Sequence, residues 1–91
     1  MSKNYINIGN KAFISEEKVI CIVAANSDKV RRILDRANLK RTDPDVIDTT
    51  SDKETRSIIY LDENKYCISS VNASVLAKRA QSDTSELINE K

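Results

Sequence analysis

The 91-residue chain has no histidine and no tryptophan, and it contains one glycine, one proline and two cysteines. Without histidine, neither a Ser–His or Cys–His nucleophile pair nor a histidine ligand for zinc can form. The single glycine, Gly9, excludes the Walker A loop and the dinucleotide-binding fingerprint, because each needs at least two glycines. These absences argue against an enzyme, and we expect no catalytic residue, no metal site and no cofactor.

The sequence also lacks long apolar runs and a disulfide framework. Its longest apolar run, residues 19–25, has seven residues, whereas a membrane-spanning helix needs about 20. The acidic residues Glu16 and Glu17 stand where a signal peptide would carry positive charge. Cys21 and Cys67 lie in separate strand-like runs, which suggests reduced core thiols. We therefore expect a cytoplasmic protein with no membrane association.

The hydrophobic pattern predicts one α+β domain over residues 1–80, followed by a polar tail at 81–91 that we expect to be disordered. The predicted fold is a small, mostly antiparallel sheet with two helices. One helix should begin at the N-cap Ser27 and end by residues 38–40, and the other should begin after Asn72 and run to about residue 80. Strands are predicted near residues 5–8, 12–14, 18–24, 45–50, 55–61 and 66–71.

The run at residues 18–24 is apolar at odd and even positions alike. A strand of this kind is covered on both faces, so it lies either in the centre of its sheet or against another subunit. Because a chain this short has a small core, the second alternative predicts a homo-oligomer.

Positive charge is concentrated between residues 28 and 41, where six basic and two acidic residues give a net charge of +4, compared with +1 for the whole chain. On a helix, Lys29, Arg32, Arg36 and Lys40 would form one stripe, whereas Arg31 would lie beside acidic residues that pair with it. Two interpretations of the stripe stay open. It is either a solvated surface or a row of cations that contacts nucleic-acid phosphates.

Several segments, taken together in their order and spacing, resemble the extracellular matrix regulatory family of bacteria (RemA/RemB-like). These segments lie at residues 5–9, 14–23, 55–59 and 69–79, and the resemblance covers roughly residues 4–80. It implies a non-enzymatic, cytoplasmic transcriptional regulator of extracellular matrix and biofilm genes. It further implies a ring-forming homo-oligomer that binds double-stranded DNA around its circumference and uses no small-molecule substrate.

The resemblance also implies which residues contact DNA. Lys18 matches a position that carries arginine in the family, and Lys53 matches the first residue of an arginine pair. Arg56 is retained just downstream. Arg31 and Arg32 of the predicted helix are expected to support these contacts.

One position departs from the family pattern, because Glu54 stands where the second arginine of the pair is expected. A carboxylate there removes an attraction to phosphate and adds a repulsion. The alternative hypothesis is therefore an oligomeric scaffold, or a partner subunit, that does not bind DNA itself.

Overall fold

A computed structural model of the protein describes residues 4–80. The strands are β1 (Tyr5–Gly9), β2 (Ala12–Ser15), β3 (Val19–Ala24), β4 (Val46–Asp48), β5 (Ser57–Leu61) and β6 (Lys65–Ser69). Helix α1 covers Ser27–Arg36, helix α2 covers residues 73–80, and a short 3-10 turn covers Glu16–Lys18. The tail predicted at residues 81–91 lies outside the described residues.

The strands form two sheets. β1 and β2 make an antiparallel hairpin, and the other four strands make a sheet in the order β3-β5-β6-β4. Pairing in this sheet is antiparallel except between β4 and β6, which run parallel. The predicted α+β class, with two helices and mostly antiparallel strands, is confirmed.

The four-stranded sheet is the middle layer of the molecule. Neighbouring residues of a strand point to opposite faces of the sheet, so each face packs against different elements. Ile59 of β5 packs on one face with Ile6 of the hairpin and Leu76 of α2. Ile58, one residue earlier, packs on the other face with Val30 of α1. The hairpin and α2 therefore cover one face, and α1 covers the other.

Two turns adopt the left-handed conformations that their residues favour. Gly9 has φ 99°, and a Cβ at this position would lie 2.9 Å from Cγ2 of Val71, so the site requires glycine. In the turn between β5 and β6, Glu63 and Asn64 both have φ 61°. Asparagine tolerates this conformation better than most residues do.

The boundaries of α1 differ slightly from the prediction. Its N-cap is Asn26 rather than Ser27, and the Asn26 Oδ1 accepts a hydrogen bond from the backbone N–H of Lys29 at 2.8 Å. The helix ends at Arg36, and Asn38 adopts a left-handed φ of 60°. Lys40 therefore follows the helix, and the predicted four-residue stripe shortens to its first three members.

Strand β3 occupies an edge of the sheet, which excludes the first of its two predicted alternatives, a position in the centre of the sheet. β5 and β6 hold the central positions instead. Ile20 is 67% exposed. Cys21 is exposed as well, so the expectation of a core thiol is wrong for Cys21, whereas Cys67 is buried. Lys18, predicted to start the strand, lies in the preceding 3-10 turn. Within the chain, Val19 and Ile22 pack partly on one face of the sheet and Val23 on the other, and the edge position still allows contact with another subunit.

Candidate nucleic-acid interface

Three cations converge at the end of the sheet where β3 runs into α1. They line an open cleft with a volume of about 470 Å³, which we call the basic cleft. Its lining residues are Ala24, Ala25, Asn26, Lys29, Arg32, Glu54, Thr55, Arg56 and Asn72. The cleft thus draws on the end of β3, the first turns of α1, the segment before β5 and the start of α2.

Helix α1 contributes the cations on one side of the cleft. Lys29 and Arg32 are three residues apart, so they lie on the same side of the helix. Both also line a neighbouring groove with Ile33 and Arg36. The basic surface therefore continues along α1 for about two turns, from Lys29 to Arg36.

Arg56 contributes the cation on the other side, and its backbone is held firmly. Its carbonyl accepts a hydrogen bond from the N–H of Ala25 at 3.0 Å, and its N–H donates to the carbonyl of Ser69 at 2.9 Å. These bonds tie Arg56 to the ends of β3 and β6. Its position beside α1 follows from the sheet pairing, because nothing local in the sequence brings the two together.

The guanidinium of Arg56 is held only loosely. Its Nη1 donates to Oδ1 of Asn72 at 3.5 Å, and its Nη2 lies 3.5 Å from Oε1 of Glu54. The Arg56 side chain is 51% exposed and that of Glu54 is 75% exposed, and an ion pair in such surroundings contributes little stability. A phosphate could therefore take the place of either contact at small cost.

The charge and shape of the cleft suit an extended polyanion. Lys29, Arg32 and Arg56 outnumber the single carboxylate of Glu54, and the first turn of α1 adds the positive end of the helix dipole. The cleft is open rather than enclosed, so it can lie along a phosphate backbone but cannot surround a small substrate. Within residues 4–80, no group of three or more potential metal ligands is found.

The residues implied by the family resemblance are divided between several places. Arg32 and Arg56 share the basic cleft. Lys18 lies at the opposite end of β3, where its carbonyl accepts a hydrogen bond from the N–H of Asp62. Because β3 separates the two ends by about seven residue steps of ~3.3 Å, Lys18 and Arg56 are roughly 20 Å apart within one chain.

The other two implied residues also lie outside the cleft lining. Lys53 is in the exposed turn between β4 and β5, where its N–H donates to the carbonyl of Thr50 at 2.9 Å. Arg31 lies on a different side of α1 from Arg32, with its Nη2 3.3 Å from Oδ1 of Asp28. This ion pair confirms the expected i,i+3 pairing of Arg31 with Asp28, whereas within residues 4–80 the expected i,i+4 pair with Asp35 is not formed.

Lys29 and Asn72 are not among the DNA-contacting residues that the family resemblance implies. Lys29 was part of the predicted stripe, and its spacing of three residues from Arg32 is the signal that places it in the cleft. Asn72 gave no such signal, because its contact with Arg56 spans sixteen residues of the chain.

Arg41 donates hydrogen bonds to the segment that leads to Arg56. The Arg41 guanidinium donates from Nε to Oδ2 of Asp48 at 2.8 Å, and from Nη2 to the hydroxyls of Thr55 at 2.9 Å and Thr50 at 3.4 Å. The Thr50 hydroxyl in turn donates to Oδ1 of Asp48 at 2.6 Å. We call these four residues the Arg41 clasp. It joins the loop after α1 to both ends of the segment 48–55.

The clasp changes the acidity of its carboxylate. Partial burial of Asp48 raises its pKa, but the hydrogen bonds from Arg41 and Thr50 and the charge of Arg41 together outweigh this effect. The net result is a pKa below the ordinary value, so Asp48 is ionised at neutral pH and holds Arg41 as an ion pair.

Comparison with known proteins gives one consistent result. The family model described as extracellular matrix regulatory protein A-like (RemA-like) matches residues 5–80. A "Putative regulatory protein" of Nitratidesulfovibrio vulgaris is 32% identical over 78 residues, which cover 86% of this chain and 85% of the relative. Proteins of the same name from Maridesulfovibrio salexigens and Thermotoga maritima are 33% and 35% identical, over 81 and 74 residues. These matches cover 89% and 81% of this chain, and 91% and 77% of the respective relatives.

Neither helix within residues 4–80 has the length and apolar character that a membrane span requires.

Proposed function

The chain belongs to the RemA-like family of extracellular matrix regulatory proteins, and from this premise we propose that it regulates transcription by binding double-stranded DNA as a homo-oligomer. Its family and its relatives' names mark it as a regulatory protein rather than an enzyme. Under the proposal it acts in the cytoplasm, and its target genes are those for extracellular matrix and biofilm formation.

The observation that carries the proposal is the convergence of Lys29, Arg32 and Arg56 in the basic cleft, with Arg36 continuing the row along α1. Three of these cations lie on α1 and Arg56 comes from the segment before β5, yet all four form one track. Cations that contact successive phosphates release counterions, which gives affinity without reading the base sequence.

A single cleft would bind duplex weakly, because its net charge is small. Copies held in a ring would present the cleft repeatedly, and linking the sites raises the overall affinity through effective concentration. The exposed apolar edge of β3 supports such an assembly, since an unpaired strand edge readily pairs with another chain. Lys18, Lys53 and Arg31 would then join the DNA-contacting surface from neighbouring positions around the ring.

The proposal is tested by fluorescence anisotropy with a labelled duplex over a range of salt concentrations. Affinity should fall steeply as salt rises, and Arg32→Ala combined with Arg56→Ala should weaken binding to all sequences alike. Arg31→Ala is the matched comparison, because Arg31 is adjacent in sequence but paired with Asp28. It should reduce affinity less than Arg32→Ala does. No binding by the wild type at low salt would refute DNA binding.

The second candidate function is an oligomeric scaffold or partner subunit that does not bind DNA. One observation favours it, namely the Glu54 carboxylate 3.5 Å from Arg56 within the cleft. Glu54→Gln discriminates between the two functions, because it removes the negative charge with almost no change of shape. If the wild type binds DNA, this variant should bind severalfold more tightly. If the wild type does not bind DNA and Glu54→Gln does, the scaffold function is supported.

A further inference from the structure

We propose that the opposite side of α1 carries a binding site for a small zwitterion with an apolar body, of which an apolar α-amino acid is the simplest case. The site is a groove between α1 and the segment 39–41, with a volume of about 350 Å³. We call it the α1 groove. Its lining residues are Ser27, Asp28, Val30, Arg31, Leu34, Asp35, Leu39, Lys40 and Arg41. The volume lies at the small end of the range for ligand sites, about 300–1,000 Å³.

Among the apolar side chains of the lining, Leu39 is the one that is partly exposed, because Val30 and Leu34 are only 0% and 3% exposed and form a closed floor beneath it. Val30 and Leu34 lie in the core beneath α1, and Leu39, from the segment after the helix, packs against the same cluster. An aliphatic group placed here would exchange water for apolar contact, which is the usual source of affinity in small-molecule sites.

Cations at one end of the groove can hold a carboxylate. Arg41 is kept in place by its bonds to Asp48, Thr50 and Thr55, all of which use Nε and Nη2. Within residues 4–80 its Nη1 makes no hydrogen bond, so two N–H donors remain on a guanidinium that is already ordered. Lys40 lines the groove next to it. A guanidinium and a neighbouring ammonium suit a carboxylate in both charge and geometry.

An acidic side chain that lines the α1 groove can hold the amino group of the ligand. Asp28 is engaged by Arg31 at 3.3 Å, but the Asp35 carboxylate has no hydrogen bond or ion pair within residues 4–80. The groove therefore offers positive and negative groups together around an apolar surface. That combination matches a zwitterion better than a simple fatty acid, which would leave Asp35 without a counterion.

The site has a route to the DNA-binding surface through the Arg41 clasp. Ligand binding at Arg41 would act on a side chain that also holds Thr50 and Thr55, and Arg56 directly follows Thr55. A ligand could thus change the position of Arg56 on the other side of α1. This coupling rests on the proposed function, whereas ligand binding at the groove does not.

The experiment is ligand-detected saturation-transfer NMR on the full chain without DNA. The probes are L-leucine, L-leucinamide, which lacks the carboxylate, and 4-methylpentanoate, which lacks the amine. L-leucine should bind saturably at about millimolar concentration, and each of the other probes at least about fivefold more weakly, because each loses one charged contact. Absence of saturable L-leucine binding up to about 10 mM, or equal binding of 4-methylpentanoate, would overturn the proposal.

Variants locate the site. Asp35→Asn should weaken L-leucine binding by about fivefold or more while preserving shape. Asp45→Asn is the matched control, because Asp45 is equally an exposed aspartate but does not line the groove. It should bind L-leucine like the wild type. Equal binding by the wild type and Asp35→Asn would contradict the assignment, whatever the outcome of the DNA measurements.

Discussion

Single side chains set the balance of charge at the basic cleft. The guanidinium of Arg56 lies between Glu54 and Asn72 at 3.5 Å from each, and both contacts are exposed. Glu54 therefore both orients Arg56 and weakens its attraction for an anion. The strength with which the cleft would bind phosphate is therefore set by Glu54 and Arg56 rather than by the net charge of the chain.

The ion pair of Asp48 predicts a pH dependence of stability. Because the pKa of Asp48 is lower in the folded protein, its contribution is present above its unfolded pKa of about 3.9 and is lost as pH falls through the folded value. Asp48→Asn should cost about 1 kcal/mol at pH 7, allowing for solvent screening, and clearly less near pH 3. Urea denaturation at the two pH values measures this difference.

The control for this prediction is Thr55→Val. It removes another acceptor of the Arg41 guanidinium but no titrating group, so its cost should be similar at both pH values. An Asp48→Asn cost that stays constant from pH 7 to pH 3 would contradict the role assigned to the ion pair.

The buried thiol predicts resistance to alkylation. Burial raises the pKa of Cys67 to about 12, and the charge of Asp48 adds to the effect while a hydrogen bond with Thr49 opposes it. At pH 8 only about one Cys67 side chain in ten thousand would then be a thiolate. In a Cys21→Ser variant, iodoacetamide should leave the native protein unlabelled by mass spectrometry and should label it in denaturant. Labelling of the native variant at the rate of a free thiol would show that Cys67 is accessible.

At the scale of elements, β3 stands out because its apolar side chains and its backbone edge are incompletely covered. It is apolar on both faces, it lies at the edge of the sheet, and its Ile20 is 67% exposed. Proteins usually protect edge strands with charged residues, often lysine. Between Val19 and Ala24, β3 carries no charged residue. An edge without this protection is what pairing with another copy of the chain would require.

The corresponding prediction concerns assembly. Ile20→Lys should lower the solution mass toward that of the monomer, because it places a charge on the proposed contact edge. Phe13→Ser is the matched control, since Phe13 is 60% exposed but lies on the hairpin, and it should leave the mass unchanged. Light scattering at a protein concentration of some tens of micromolar, where typical interfaces are occupied, measures the masses of both variants. A monomeric wild type under these conditions would contradict the proposed assembly.

At the scale of the whole molecule, the proposed function depends on repetition of the basic cleft in an oligomer. The chain carries a net charge of only +1, so long-range attraction to DNA is weak for a single copy. Positive charge is nevertheless gathered on one side of α1 and beside it, at Arg56. If assembly aligns these surfaces, many weak contacts act together.

Multivalency predicts that affinity rises with duplex length. The wild type should bind a duplex that spans several clefts at least tenfold more tightly than one that spans a single cleft, because the additional contacts are intramolecular. If the Ile20→Lys variant is monomeric, its affinity should rise with duplex length only as far as a longer duplex offers more binding sites. Anisotropy with short and long duplexes at constant salt measures the ratio. Equal affinity of the wild type for both lengths would indicate that each copy binds alone.

What the sequence determined by itself is local. Periodicity of apolar residues established the helices and strands, because side chains repeat every 3.6 residues on a helix and every two on a strand. Gly9 and Asn64 both adopt positive φ in turns, a conformation that glycine and asparagine tolerate for local reasons. The α+β class and the pairing of Arg31 with Asp28 follow from such short-range rules.

The tertiary structure alone decided which distant residues meet. The edge position of β3 and the parallel pairing of β4 with β6 depend on contacts between strands far apart in the chain, to which local periodicity is blind. The same long-range pairing sets Arg56 beside Arg32, on the side of α1 that faces away from Arg31. The basic cleft is therefore a product of strand order, because only the sheet fixes how far the segment before β5 lies from the helix.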